Sequence, residues 1–197
     1  MTGPIRDWAY DVEPPDDGWI WVPDPEEDLA AWAQAACADL FVTGPAEVEL
    51  ADQLRSVARR LRERAPDTGA LWIPDPVYGV LATLVTDRVR VAGTPEELVA
   101  EYRFAADPGL APPQVAIVQL PAGPAVRVRR LETVANGLGA EQLIETVTHL
   151  VLPPGIVDVD DAPTAIELVV TWTLLQEGDE FAQMAAEAAG RLRIVPG

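Results

Sequence analysis

The feature that most constrains the fold is a series of segments in which apolar and polar residues alternate. Four of them occupy residues 114–120, 125–134, 141–152 and 164–176. An alternation with a period of two residues is typical of β-strands, whose side chains point in turn to opposite faces of a sheet. The links are too short for a parallel crossover, so we predict that consecutive strands pair antiparallel in a meander.

Other segments have the period and the end signals of helices, and we place them at about residues 24–41, 45–64, 94–105 and 178–191. Asp24 is the expected cap of the first helix, with Pro25 at its first position, and Thr94 and Glu97 form a capping box on the third. Helices at both ends of the meander must cover its apolar faces. We therefore predict an α+β fold with an N-terminal helical hairpin.

A chain of 197 residues is long enough to bury a core, and we predict one domain over residues 1–197. Residues 1–68 are expected to contain an acidic segment with aromatic residues, followed by the helical hairpin. Residues 69–197 are expected to form the antiparallel sheet with two helices. Two further strands are predicted there, at 70–73 and 78–86.

The charge is strongly negative and unevenly distributed. The net charge is −18, and residues 1–52 carry −12 of it, because they contain 13 of the 32 acidic residues and a single arginine. Proteins that bind nucleic acids or anionic membranes use clusters of basic residues, so neither partner is expected. A concentrated acidic surface instead favours a basic protein partner.

The residue types that most catalytic and metal sites use are almost absent. The chain has no lysine, one cysteine (Cys37), one serine (Ser56) and one histidine (His149). This composition excludes a phosphate-binding loop with its lysine, a disulfide framework and a zinc site made mainly of cysteine and histidine. We therefore predict no catalytic residues, no cofactor and no bound metal.

Three weaker signals have ordinary structural interpretations. The aspartates 158, 160 and 161 do not have the spacing of a calcium-binding loop, so we interpret them as a solvated loop. His149 is interpreted as a packed, hydrogen-bonded strand residue. The arginines 127, 129 and 130 are interpreted as a solvated strand face or as partners of acidic residues, with anion binding as the alternative.

The sequence also predicts where the protein is found. The first residues are acidic and rich in proline, which does not fit a secretion signal. The longest apolar stretch, residues 165–175, is interrupted by Glu167 and is too short to span a bilayer. We expect a cytoplasmic protein with no membrane contact.

Residues from about 70 to 195 resemble a known family. The segments that carry the resemblance are Pro76-Val77-Tyr78-Gly79-Val80, the capped helix from Thr94, residues 120–127, Leu152-Pro153-Pro154-Gly155, the strand through Trp172 and the helix near Phe181. Together they resemble actinobacterial proteins of uncertain function with a PsbP-like fold. The resemblance implies an antiparallel sheet between helices and the role of an adaptor or assembly protein, and it carries over no functional residue.

We therefore predict a non-catalytic protein that binds a protein partner or helps it assemble. The alternatives are a small-molecule binding protein with a groove between sheet and helices, and a carboxylate-based enzyme. The predicted partner-binding residues are Trp8, Tyr10, Asp16, Asp17, Trp19 and Trp21. Aromatic residues are enriched in protein interfaces, and the acidic residues would attract a basic partner. The competing interpretation is that the aromatic side chains only attach the N-terminal segment to the sheet.

Overall fold

The computed structural model describes residues 4–13, 18–104, 109–135, 141–158 and 160–196, which form an α+β fold. The strands are β1 (Trp8–Asp11), β2 (Trp19–Trp21), β3 (Thr68–Trp72), β4 (Ala82–Arg90), β5 (Gln114–Leu120), β6 (Gly123–Ala135), β7 (Glu141–Val151), β8 (Thr164–Trp172) and β9 (Arg193–Pro196). The helices are α1 (Leu29–Asp39), α2 (Pro45–Glu63), α3 (Pro95–Phe104) and α4 (Gly178–Arg191).

The chain divides into two compact units. The first contains residues 1–15 and 87–197, and the second contains residues 16–86. The division falls within β4, whose first five residues pair with β3 in the second unit. That the whole chain forms one domain stays a prediction.

In the first unit, the predicted antiparallel meander is confirmed. Strands β5, β6, β7 and β8 pair in chain order, each antiparallel to the next. One face buries Val126 and Val128 against Leu98 of α3, in a cluster that also contains Leu150. The opposite face is packed against α4, where the ring of Phe181 stacks on Trp172 with the centroids 5.3 Å apart. Each face of this sheet is therefore covered by a helix.

A two-stranded ribbon completes the first unit. Strand β1 pairs antiparallel with β9, which directly follows α4. The sequence analysis predicted no strand after α4. A strand of four residues is too short for its alternation to be distinguished from irregular chain.

In the second unit, the antiparallel strands β2, β3 and β4 accompany α1 and α2. The apolar faces of the two helices share one cluster, to which Cys37 of α1 and Leu50 and Leu54 of α2 contribute. Leu71 of β3 and Ile73, which directly follows that strand, belong to the same cluster. That α1 and α2 form a helical hairpin stays a prediction.

Three predicted element boundaries are wrong, the first of them the end of β8, which is at Trp172 and not at residue 176 because residues 175–177 form a 3₁₀ turn. Helix α1 begins at Leu29 with Asp28 as its cap, and not at Asp24. Residues 23–27 do not join the helix, because the guanidinium of Arg62 on α2 donates to four of their backbone carbonyl oxygens and holds the segment as a turn. Strand β4 begins at Ala82 and not at residue 78, because residues 76–78 form a 3₁₀ turn capped by the Asp75 carboxylate.

The capping box at α3 is confirmed by its hydrogen bonds. The Glu97 backbone N–H donates to Thr94 Oγ1 at 3.3 Å, and the Thr94 N–H donates to Glu97 Oε2 at 2.7 Å. These reciprocal bonds satisfy two backbone donors that the helix itself cannot pair.

We predict that Leu54→Ala lowers the free energy of unfolding by about 2–5 kcal/mol, because it leaves a cavity in the cluster shared by α1 and α2. Leu54 is fully buried, whereas Val48 on the same helix is 63% exposed. Val48→Ala is the matched control and should change stability by less than about 0.5 kcal/mol. Urea unfolding monitored by tryptophan fluorescence measures both, and equal effects would contradict this assignment of the core.

Candidate functional site

The first pair of predicted binding residues, Trp8 and Tyr10, lies on β1 in the first unit. Both side chains are half-buried, and their ring centroids are 6.4 Å apart. The Trp8 Nε1 donates to the carbonyl oxygen of Val157 at 3.2 Å, and the guanidinium of Arg88 lies 5.9 Å from the Trp8 ring centroid. These contacts hold the Trp8 side chain against other residues of the first unit.

The second pair, Trp19 and Trp21, lies on β2 in the second unit. Trp19 is half-buried, with its ring centroid 6.5 Å from that of Trp72. Trp21 differs, because its side chain is 44% exposed while its backbone is fixed by pairing with β3. Its carbonyl oxygen also accepts a hydrogen bond of 3.1 Å from Trp32 Nε1. Trp21 is thus an exposed aromatic side chain on an ordered backbone.

Residues 23–28, which we name the acidic turn, begin two residues after Trp21. The side chains of Asp24 and Glu26 are exposed, whereas the Glu27 carboxylate accepts a 3.0 Å hydrogen bond from the Asp24 backbone N–H. The guanidinium of Arg62 on α2 donates hydrogen bonds to backbone carbonyl oxygens of the turn. The acidic turn therefore presents carboxylates from a fixed backbone.

The remaining predicted residues, Asp16 and Asp17, lie outside the described residues. Trp8 and Tyr10 belong to one unit and Trp19 and Trp21 to the other, so the structure places the predicted aromatic residues in two pairs.

A row of polar side chains crosses one face of the sheet in the first unit. We name Arg127 and Arg129 of β6 with Glu145 and His149 of β7 the polar row. The register pairs Arg127 with His149 and Arg129 with Val147. Residues that lie directly opposite in a sheet, and every second residue along a strand, share a face. All four side chains therefore lie on the face that packs against α4.

Glu145 is the most fully bonded member of the polar row. It is 8% exposed, and its two oxygens accept from Arg129 Nε at 2.6 Å and from Trp172 Nε1 at 3.1 Å. Arg129 also reaches Asp179 in the first turn of α4, at 2.6 Å. The hydrogen bond to Glu145 is the largest cause of the raised pKa of Arg129. A side chain at Gly178 would collide with this ion pair, so the glycine permits the approach of α4.

We interpret the Arg129–Glu145 ion pair as a contact that stabilises the fold. Glu145 is 8% exposed, its charge is balanced by Arg129 and both of its carboxylate oxygens accept a hydrogen bond from the protein, so it is already engaged within the fold. The sequence analysis did not single out Glu145. The sequence does show an arginine and a glutamate on strands that were predicted to be neighbours. Whether the two side chains meet depends on the register of those strands, which the sequence alone does not determine.

His149 is 1% exposed, which agrees with the interpretation as a packed residue. Burial, with a smaller contribution from the charge of Arg127, lowers the pKa of His149 to about 4. The imidazole is therefore neutral at pH 7 and unsuited to general base catalysis near neutral pH, which needs a pKa close to the working pH. In the part of the chain that the structure describes, its Nδ1 has no hydrogen-bond partner, contrary to the expectation.

The aspartates of the loop before β8 bind arginines. Asp158 and Asp160 pair with Arg90, and Asp161 pairs with Arg6 at 2.7 Å. Hydrogen bonds from backbone N–H groups lower the pKa of Asp158, and the bond from Ala162 has the largest effect. Across the described ranges, no three His, Cys, Asp or Glu side chains are grouped so that they could hold a metal ion.

Comparison with known proteins adds little to this description. No family model and no curated protein matches the chain. Among solved structures, the chain is similar to LpqN, a protein involved in cell envelope biogenesis of Mycobacterium tuberculosis, with 13% sequence identity and a TM-score of 0.47. The similarity covers 97% of this chain and 86% of LpqN. None of the described helices is long and apolar enough to cross a membrane.

We predict that Glu145→Gln lowers the free energy of unfolding by about 2–4 kcal/mol, because it removes the charge that compensates a largely buried guanidinium. The matched control is Asp179→Asn. Asp179 contacts the same arginine with a side chain that is 94% exposed, so its loss should cost less than about 1 kcal/mol. Chemical denaturation of both variants gives the difference, and a larger loss for Asp179→Asn would contradict the assignment.

We also predict that His149 makes the fold less stable in acid. Its pKa is about 4 in the folded chain against 6.5 for an ordinary histidine, so below pH 6.5 the unfolded state binds a proton that the folded state does not. Stability is present above pH 6.5 and is lost as the pH falls toward 4, by up to about 3 kcal/mol from this residue.

The control for this prediction is His149→Gln, which carries every other titratable group. The wild type should lose more stability than the variant between pH 7 and pH 4, as measured by urea denaturation at each pH. Parallel curves for the two proteins would mean that burial does not depress the pKa of His149.

Proposed function

We propose that this chain is a non-catalytic protein that binds a basic protein partner through Trp21 and the acidic turn. The observation that carries the proposal is the exposure of Trp21 together with that of Asp24 and Glu26, which follow it closely in the sequence. Tryptophan is among the residues most enriched at the energetic centres of interfaces. Carboxylates around such a residue select a positively charged partner and exclude an acidic one.

The rigidity of this surface supports the same role. Trp21 is held by the pairing of β2 with β3 and by the hydrogen bond from Trp32, and Arg62 binds the carbonyl oxygens of the acidic turn. Binding orders flexible groups at a cost in entropy, which is smaller when the backbone of the surface is already fixed. The backbone of the acidic turn is therefore already fixed before a partner binds.

The charge distribution supports a basic partner. Residues 1–52 carry −12 of the net charge of −18, and a charged surface of one sign accelerates association with a partner of the opposite sign. The polar row supports the non-catalytic part of the proposal, because the Glu145 carboxylate is buried in an ion pair with Arg129 and burial lowers the pKa of His149 to about 4.

We predict that a protein captured from a lysate of the cells that express this chain is lost when the acidic turn is altered. The bait variants are Trp21→Ala and the double variant Asp24→Asn with Glu26→Gln. Each should reduce the captured amount about tenfold or more, because truncating a central interface residue costs 2 kcal/mol or more, on the order of a 30-fold change. Capture should also weaken as ionic strength rises from about 0.05 to about 0.3 M.

Two matched controls distinguish binding at this surface from nonspecific binding. Tyr78→Ala removes an aromatic side chain that is 69% exposed in the same unit, and Glu49→Gln with Glu63→Gln removes two exposed carboxylates of α2. Both should retain the captured protein. Equal losses in test and control variants, or capture that is insensitive to Trp21→Ala, would overturn the proposal.

A further inference from the structure

One half-buried arginine differs from all the others in its contacts. Five arginines of the chain are half-buried, and four of them bind oxygen atoms of the protein. These four are Arg55 with Asp52, Arg62 with the acidic turn, Arg129 with Glu145 and Asp179, and Arg130 with Glu132. Arg127 has neither a hydrogen bond nor an ion pair with any residue that the structure describes.

The register of the sheet places a second unsatisfied group beside Arg127. Arg127 of β6 lies directly opposite His149 of β7 on one side and Ala116 of β5 on the other. His149 is 1% exposed, and its Nδ1 has no partner among the described residues. Ala116 is exposed and has only a methyl group, and Arg127 itself is half-buried, so the guanidinium keeps some contact with solvent.

Two neighbouring nitrogen groups that lack hydrogen-bond partners are unfavourable in a partly dry site. Burial lowers the pKa of Arg127, as the charge of Arg129 also does to a smaller degree. A buried polar group without a hydrogen bond loses its interaction with water and gains nothing in exchange. The chain has 32 acidic residues, and none of the described ones is placed at this position. An anionic ligand would supply the acceptor that both groups lack.

We propose that Arg127 and His149 bind the carboxylate group of a small organic acid. This site lies in the first unit and is separate from the proposed partner surface of the second. A guanidinium holds a planar carboxylate through two parallel hydrogen bonds. The neutral imidazole donates a further bond in the tautomer that carries its proton on Nδ1.

The charge and the neighbours of the site select a carboxylate over a phosphate. Arg127 supplies one positive charge, which one carboxylate balances, while the second charge of a phosphate would be opposed by the net charge of −18. The neighbours on the same face, Ala116 and Val118 of β5 and Leu168 of β8, are apolar. The ligand therefore combines a carboxylate with a short apolar group.

The test uses His149 as its own reporter, because it is the single histidine of the chain. Butyrate is added to the full-length protein at pH 7 and constant ionic strength while the Cε1–H proton resonance of His149 is followed. We expect a saturable shift with half-saturation on the order of 10 mM, as expected for one charged and one neutral hydrogen-bonding group. Chloride and the neutral analogue butyramide should give no saturable shift.

Matched variants locate the binding. Arg127→Gln should weaken butyrate binding about tenfold or more, because it removes the charged donor. Arg130→Gln removes the same charge three residues further along β6, where the side chain lies on the opposite face, and this variant should bind butyrate like the wild type. An amide spectrum of each variant, compared with that of the wild type, verifies the fold.

Three results would overturn the proposal. The first is the absence of a saturable shift with butyrate up to about 0.1 M, well above the expected half-saturation. The second is an equal shift with butyramide, which needs no variant to interpret. The third is phosphate saturating the site at lower concentration than butyrate, which would contradict the carboxylate assignment. Loss of butyrate binding leaves the partner proposal unaffected, because Trp21 and the acidic turn belong to the other unit.

Discussion

The pairing of β6 with β7 determines most of what the first unit can do. It runs over the full length of β7, from the pair of Ala135 with Glu141 to the pair of Ala125 with Val151. A slip by one residue would move every side chain of a strand to the opposite face. In the observed register, Val126 and Val128 face the α3 cluster, while the polar row faces α4. Core packing and polar chemistry thus depend on the same ladder of hydrogen bonds.

The same register explains why two arginines on one strand differ in function. Arg129 and Arg127 are two residues apart on one face of β6, and each has a polar side chain of β7 within reach. Arg129 meets the carboxylate of Glu145, which balances its charge, and it also binds Asp179. Arg127 meets the neutral imidazole of His149, which supplies no charge. One arginine therefore stabilises the fold, and the other keeps its donors available for a ligand.

The elements that the sequence predicted are those whose signals are local. The meander follows from alternation and short links, and the capping box at Thr94 and Glu97 needs only four residues. The start of α1 was misplaced because Asp24 and Pro25 form a good local helix signal, which a contact with Arg62, 38 residues away, overrides. The strand β9 was missed because its stability depends on pairing with β1 at the other end of the chain.

The candidate sites were likewise predictable only where their signals are local in the sequence. The sequence identified Trp21 and the acidic character of residues 1–52, because residue type and charge density are visible without a structure. It did not identify the acidic turn, because Asp24 was interpreted as the cap of a helix. It could not show that Trp21 is exposed while Trp19 packs on Trp72, because both have the same local surroundings. Arg127 and His149 were each noted and each given an ordinary interpretation, since neither is unusual alone. Their significance comes from being opposite each other, without an acceptor, in a chain that otherwise pairs its half-buried arginines with oxygen atoms.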